Sequence, residues 1–158
     1  MKILFICTHN RCRSILAEAI TNHLSNGRLA ARSAGSQPAG EVHPLTLHYL
    51  REAGIPVDNL RSQSWDELED FAPDLVITVC DSAAGEQCPI WFGKSVKTHW
   101  GLADPSKVSG SQEEIQKAFH AVIDTLSQRI KALAALPAED YSREELQQAC
   151  TRIAAQYP

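Results

Sequence analysis

The sequence predicts an α/β fold, a three-layer sandwich in which a central parallel sheet is flanked by helices. Short apolar runs with the composition of buried strands recur along the chain, at Lys2–Cys7, Leu29–Ser33 and Leu75–Val79. Between and after these runs, apolar residues recur with the spacing of helices. Strands that alternate with helices are typical of βαβ units, whose crossover helices cover the faces of a parallel sheet.

The helices are predicted from apolar spacing and from the residues at their ends. The first begins at Ser14 and ends at Asn26-Gly27, and the second, His43–Ala53, ends at Gly54. Three later helices begin at capping boxes, in which a serine is followed three residues later by a glutamate. These helices are expected over residues 64–71, 111–136 and 142–157. The stretch 81–108 contains three glycines and two prolines and is expected to be irregular.

The length and composition predict one soluble globular domain. The chain has 158 residues, 44% hydrophobic and 22% charged, with a formal net charge of −4. We expect residues 1–136 to form the domain and residues 137–158 to form a helical extension packed on it. No basic stripe runs through the sequence, and no apolar run approaches the ~18 residues of a membrane span. The apolar run 3–6 is too short for a signal peptide, so we expect a cytoplasmic protein. We also expect a monomer without nucleic-acid or membrane partners.

Five cysteines are present, and the odd number argues against a disulfide-stapled scaffold. They can be reactive thiols, metal ligands or buried packing residues. A zinc site would use the set Cys7, Cys12, Cys80 and Cys88. The spacings within this set differ from those of zinc sites, and Arg11 and Arg13 would lie against the cation. We therefore predict no metal.

The turn after the first predicted strand reads Cys7-Thr8-His9-Asn10-Arg11-Cys12-Arg13-Ser14. In open α/β sheets, ligands bind at this end of the strands. A cysteine, five residues and an arginine have the spacing of an oxyanion-binding loop, because successive backbone N–H groups can then face one tetrahedral anion. The candidate oxyanion ligands are Thr8, His9, Asn10, Arg11, Cys12, Arg13 and Ser14.

Several side chains of this turn suit that chemistry. Arg13 can donate a fork of N–H groups to two oxygens of the anion. Cys7 lies at the base of the loop, where N–H dipoles and a helix N-terminus are expected to lower its pKa. Ser14 can donate a hydrogen bond to the resulting thiolate, and Asn10 can stiffen the loop by bonding through its side chain to the loop's backbone. The alternative is that Cys7 only ends a buried strand and Arg13 is a solvated residue.

The segment Leu4–Glu18 resembles the opening of low-molecular-weight protein tyrosine phosphatases and of the arsenate reductases built on the same fold. The resemblance continues through Ser33-Ala34-Gly35, Leu75–Cys80, His99-Trp100-Gly101 and Asp104-Pro105, and covers about residues 2–135. It implies a phosphatase-like α/β fold and an oxyanion substrate. Arg11 stands where the family usually has a serine, which adds positive charge beside the anion site.

The resemblance also implies catalytic roles. Cys7 would be the nucleophile, Arg13 the oxyanion clamp and Asp104 the general acid. The reductases additionally use a cysteine pair in the place of Cys80 and Cys88, so we expect an arsenate reductase with these residues as relay thiols. The expected reductant is an external thiol protein, thioredoxin ahead of glutaredoxin with glutathione, and no tightly bound cofactor is expected.

Two other functions remain open from the sequence. A phosphatase acting on phosphotyrosine or small phosphomonoesters would need only the loop cysteine, the arginine and the acid. A non-catalytic oxyanion-binding or redox-sensing protein would have no need of Asp104. Cys12 is expected to face the interior, with a protective disulfide to Cys7 as the alternative, and Cys150 is expected to be a packing residue.

Overall fold

The computed structural model describes residues 1–86 and 90–158. Within these residues, the sheet has strands β1 (Lys2–Ile6), β2 (Ala30–Ala34), β3 (Leu75–Thr78) and β4 (Val96–His99). The spatial order is β2-β1-β3-β4, and all three pairings are parallel. The helices are α1 (Arg13–Leu24), α2 (Pro44–Glu52), α3 (Asp81–Ala84), α4 (Gln112–Ala134) and α5 (Arg143–Gln156). This architecture confirms the predicted α/β fold.

The register of the sheet brings the carboxyl ends of all four described strands to one edge. Ile6 pairs with Ala34 on one side and with Thr78 on the other, and Thr78 pairs with His99. The residues that follow these positions therefore meet at the same edge, which is where open α/β sheets bind ligands. The two central strands hold this edge rigidly because their apolar residues are almost completely buried.

The expectation of an irregular stretch at 81–108 is wrong in two places. Strand β4 lies within it, and helix α3 forms one turn at its beginning. β4 was missed because Val96 is the only buried residue of this short edge strand, so its sequence lacks an apolar pattern. Pairing with β3 supplies the backbone hydrogen bonds that make it a strand. The segment Trp65–Phe71, predicted as a helix, is a 3-10 helix.

The last helix covers the exposed edge of β4. The Gln147 side chain donates to the carbonyl oxygen of Lys97 at 2.9 Å, and Arg143 donates to that of Ser95 at 3.2 Å. Trp100 is completely buried, and its indole N–H donates to the carbonyl oxygen of Cys150 at 3.0 Å. The first two contacts satisfy carbonyl groups in or beside the edge strand that would otherwise be exposed.

The longest helix, α4, has 23 residues and an amphipathic pattern, with buried residues such as Phe119, Ile123, Leu126 and Ile130 along one face. Its opposite face is charged. Across the described residues, no helix has both the length and the hydropathy to span a bilayer.

Candidate active site

A cavity of about 180 Å³ lies at the carboxyl edge of the sheet. Its walls come from the loop after β1, the start of α2, the segment after β3 and the segment after β4. The lining residues are Cys7, Thr8, His9, Arg11, Cys12, Arg13, His43, Cys80, Ser82, Asp104, Ser106 and Lys107. Four of the five residues with expected catalytic roles are thus brought together, and Cys88 lies outside the described residues.

The loop after β1 is shaped by Asn10, which is completely buried and has a left-handed φ of +46°. Its side-chain amide donates to the hydroxyls of Ser14 at 2.9 Å and Ser33 at 3.0 Å. Its side-chain oxygen accepts from the backbone N–H of Gln63 at 2.8 Å. Asn10 therefore ties the loop to neighbouring elements rather than to the loop's own backbone, and Ser14 acts as an acceptor toward it.

The loop presents several N–H donors. Among the described residues, the backbone N–H groups of residues 9–12 have no hydrogen-bond acceptor. Unpaired donors at a loop before a helix are a binding site for an anion. Thr8, which was also predicted as an oxyanion ligand, differs from these residues because its backbone N–H donates to the Cys80 sulfur.

Gly35 allows a second segment to lie directly against this loop. A Cβ atom at Gly35 would lie 2.4 Å from the carbonyl oxygen of Thr8 and 2.5 Å from that of Cys7. Real Cβ atoms do not approach backbone atoms so closely, so the loop or the Gly35 segment would have to move. Gly35 thus contributes to the site because its lack of a side chain lets the two segments pack against each other.

Replacing Gly35 with alanine is expected to displace the loop and weaken phosphate binding at least tenfold, with a loss of about 1–3 kcal/mol in unfolding free energy. Urea unfolding and titration with inorganic phosphate measure both effects. Gly93→Ala is the control, because a Cβ at Gly93 meets nothing within 4 Å. Equal behaviour of the two variants would show that the close approach at Gly35 does not shape the loop.

Cys80 lies against the base of the loop. The backbone N–H of Thr8 donates to the Cys80 sulfur at 3.4 Å, and the Thr8 hydroxyl lies 3.8 Å from the same atom. Cys7 and Cys80 are both buried, and the interaction with the Cys80 thiol is the largest cause of the shift in the pKa of Cys7. Two residues that lie far apart in the sequence are therefore close in space.

The two thiols differ in acidity. The hydrogen bond with Cys80 and burial raise the pKa of Cys7, although the Arg13 guanidinium acts in the opposite direction. The hydrogen bond from Cys7, aided by the Thr8 N–H, lowers the pKa of Cys80 to about 5. The expectation that the loop lowers the pKa of Cys7 is therefore wrong, and the thiol with the lowered pKa is Cys80.

Because the pKa of Cys80 is lowered to about 5, its thiolate is expected to persist above pH 5 and to disappear as the pH falls below that value. Thiolate absorbance in the ultraviolet, followed between about pH 4 and pH 8, measures this titration. Cys80→Ser is expected to remove it. Cys150→Ser is the control and is expected to leave it unchanged, because burial raises the pKa of Cys150 to about 12. A wild-type titration near pH 8 would contradict the assignment.

Arg13 and Asp104 face each other across the cavity. One terminal nitrogen of Arg13 donates to the carbonyl oxygen of Leu102 at 2.8 Å, and the other lies 3.6 Å from the Asp104 carboxylate. The Nε of Arg13 is buried without a hydrogen-bond partner among the described residues. Ser106 fixes Asp104 by donating its backbone N–H at 3.0 Å and its hydroxyl at 2.6 Å. The guanidinium therefore retains N–H groups that can donate hydrogen bonds to an anion in the cavity.

A family profile described as low molecular weight phosphotyrosine protein phosphatase matches residues 2–150. The chain belongs to this family. An arsenate reductase of Bacillus licheniformis is 36% identical over 132 residues, which cover 84% of this chain and 94% of that protein. An arsenate reductase of Bacillus subtilis is 33% identical with the same coverage of both chains.

Solved structures of the low molecular weight phosphatase family agree with this fold. An arsenate reductase in the phosphate binding state has a TM-score of 0.70 and 28% identity, covering 85% of this chain and 96% of its own. A thioredoxin-dependent arsenate reductase of Corynebacterium glutamicum has a TM-score of 0.62 and 33% identity, covering 84% and 59% respectively. A low molecular weight protein tyrosine phosphatase of T. tengcongensis has a TM-score of 0.66 and 26% identity, covering 83% and 95%.

The site of this family member also contains Glu86 and Asp81, which were not singled out from the sequence, and His99, which was named only within the His99-Trp100-Gly101 motif. Glu86 accepts a hydrogen bond from the Thr8 hydroxyl at 2.7 Å and another from the Ser36 hydroxyl. The His99 ring contacts the Thr78 hydroxyl at 2.7 Å and the Asp81 carboxylate at 3.0 Å. These contacts fasten the segment that carries Cys80 to neighbouring loops. Only the proximity of Glu86 and Asp81 to Cys80 in the sequence could have suggested them.

The remaining candidates differ in exposure. Cys12 is buried at the wall of the cavity, and burial raises its pKa to about 11. Arg11 is exposed, and His9 contacts the carbonyl oxygen of Gln37 at 3.1 Å. Over residues 1–86 and 90–158, the structure contains no cluster of three or more His, Cys, Asp or Glu side chains that could hold a metal ion.

Proposed function

We propose that this chain is an arsenate reductase that converts arsenate to arsenite through a relay of cysteines. The contact between Cys80 and the oxyanion loop carries this proposal, because it supplies a second thiol beside the nucleophile. Phosphoester hydrolysis through a cysteinyl-phosphate requires one thiol only. The arsenate reductases at 33–36% identity support the same activity.

The first step is attack on arsenate held in the loop. The N–H groups of residues 9–12 and the Arg13 guanidinium would bind its oxygens, and the Cys7 sulfur would attack arsenic. Asp104, as general acid, would deliver a proton to the departing hydroxyl, which leaves as water, and would regain a proton from the Cys7 thiol. Thiol and arsenate thus give a cysteinyl-arsenate and water without a change in oxidation state.

Reduction occurs in the second step. The Cys80 thiolate attacks the Cys7 sulfur, a Cys7–Cys80 disulfide forms, and the sulfur–arsenic bond breaks with its electron pair moving to arsenic. Arsenic(V) becomes arsenic(III) and leaves as arsenite, while the two thiols are oxidised. Cys88 then attacks Cys80, which frees Cys7 and leaves a Cys80–Cys88 disulfide for reduction by an external thiol.

We propose thioredoxin as the electron donor, ahead of glutaredoxin with glutathione. The thioredoxin-dependent arsenate reductase of Corynebacterium glutamicum, at 33% identity, supports this choice. A relay whose cysteines must start reduced needs a reducing compartment, which supports a cytoplasmic location. We propose a monomer, because one chain contributes every residue named in the mechanism.

The second candidate is a low-molecular-weight phosphatase. The family profile and the T. tengcongensis structure favour it, and phosphate has the shape and charge of arsenate. Its chemistry would use Cys7, Arg13 and Asp104 and leave Cys80 without a role.

Arsenate-dependent consumption of NADPH distinguishes the two functions. One reaction contains thioredoxin and its reductase, and a second contains glutathione, glutaredoxin and glutathione reductase. We expect turnover with thioredoxin. Turnover only in the glutaredoxin reaction would show that glutaredoxin with glutathione is the electron donor, and it would still show a reductase. Hydrolysis of an aryl phosphate without NADPH consumption in either reaction would show a phosphatase.

A further inference from the structure

His43 is held against the oxyanion loop by the backbone. Its N–H donates to the carbonyl oxygen of Arg11 at 2.9 Å, and that oxygen also accepts from the Thr46 hydroxyl at 3.2 Å. The Thr46 N–H in turn donates to the carbonyl oxygen of His43 at 2.9 Å. The start of α2 is thereby fixed to the loop, and the His43 side chain forms part of the cavity wall.

The hydrogen bond at Nδ1 determines the tautomer of His43. Nδ1 accepts from the backbone N–H of Leu45 at 3.1 Å, as the N-cap of α2. A neutral imidazole has one acceptor nitrogen and one donor nitrogen, so the proton lies on Nε2. Among the described residues, Nε2 has no hydrogen-bond partner. His43, which lines the cavity, therefore has an unused N–H donor.

The surroundings keep this donor neutral. Burial, together with the charge of Arg11, lowers the pKa of His43, while the Asp104 carboxylate opposes the shift. Arg13 and Lys107 also line the cavity and add positive charge. A neutral imidazole can keep its Nδ1 contact with Leu45 and still donate from Nε2.

The size of the cavity makes this donor useful. A cavity of about 180 Å³ has room for one tetrahedral anion, and its lining includes residues from several elements. The loop N–H groups and Arg13 approach from the walls formed by the loop and α1, and His43 approaches from α2.

We propose that His43 is a further substrate-binding residue, which donates its Nε2–H to an oxygen of the arsenate or phosphate bound in the cavity. The proposal rests on the oxyanion site of the proposed function but not on the reduction step. His43 would add a hydrogen-bond donor outside the loop between Cys7 and Ser14. Replacing it should weaken binding of the anion rather than slow the attack by Cys7.

His43→Ser and His43→Thr test this role, because serine and threonine keep an acceptor for the Leu45 N–H and remove the imidazole. With inorganic phosphate as the probe, we expect Kd to rise about tenfold in both variants, equivalent to ~1.4 kcal/mol. The kcat for an aryl phosphate is expected to change less than about twofold, whereas its KM is expected to rise. His48→Ser, an exposed position of the same helix, is the control and should bind phosphate like the wild type.

A phosphate Kd within about twofold of the wild-type value in both variants, at unchanged Tm, would overturn the proposal. The nitrogen signals of the His43 ring give an independent readout. We expect Nε2 to carry the proton in the free protein and to shift when phosphate is added, whereas an Nδ1–H tautomer would contradict the inference. Phosphate binding needs no reductant, so it can be measured whether or not arsenate is reduced. If arsenate is not reduced but phosphate binding depends on His43, the proposed reductase activity is rejected and the role of His43 is kept.

Discussion

Replacing Cys80 with serine is expected to reduce steady-state arsenate turnover by at least ~10³-fold, because a serine hydroxyl cannot attack the Cys7 sulfur. The cysteinyl-arsenate then lacks the thiol whose attack on Cys7 completes the reduction. Hydrolysis of an aryl phosphate is expected to stay within about threefold of the wild type, since Cys7, Arg13 and Asp104 remain. NADPH consumption with thioredoxin and release of the aryl alcohol measure the two activities.

The control for this prediction is Cys150→Ser. Cys150 is a completely buried thiol on α5, and its sulfur does not line the cavity. We expect this variant to keep arsenate turnover within about threefold, after any loss of stability from the buried hydroxyl is taken into account. Arsenate turnover that survives in Cys80→Ser would remove Cys80 from the relay.

Replacing Cys7 with serine is expected to abolish both activities, by at least ~10⁴-fold, because every proposed covalent step begins at this sulfur. Binding of inorganic phosphate should persist, since the loop N–H groups and Arg13 supply the contacts. Cys7→Ala, which leaves no donor at this position, should raise the pKa of Cys80, because the hydrogen bond from Cys7 is the largest cause that lowers it. Activity assays, phosphate titration and thiolate absorbance test the three parts separately.

A retained activity in Cys7→Ser would point to another nucleophile in the cavity, for which Cys12 is the nearest thiol in sequence. Loss of phosphate binding together with activity would instead show that the loop depends on Cys7 for its shape.

The sequence predicted the parts of the site that are local in the chain. The first strand, the loop and the helix that follows form one continuous segment, so the Cys7 and Arg13 spacing could be read directly. Strand β3 was also predicted, because its apolar β-branched residues are typical of a buried strand. The positions of Cys80 and Asp104 came from resemblance to a family, not from local pattern.

The parts that the sequence did not predict depend on pairing between distant segments. β4 is a strand because β3 lies beside it, and His43 reaches the cavity because Arg11 accepts its N–H. The acidity of Cys7 was predicted in the wrong direction for the same reason. Its largest influence is the Cys80 thiol, and only the folded sheet brings that thiol into contact.

The central claim is that the Cys7 and Cys80 sulfurs become bonded to each other when arsenate is reduced. The most direct test uses reduced Cys88→Ser protein, treated with one equivalent of arsenate and no external reductant, followed by peptide mapping of its disulfides. We expect a Cys7–Cys80 disulfide and an equal amount of arsenite. Arsenate recovered unchanged, or arsenite formed without a Cys7–Cys80 disulfide, would contradict the relay.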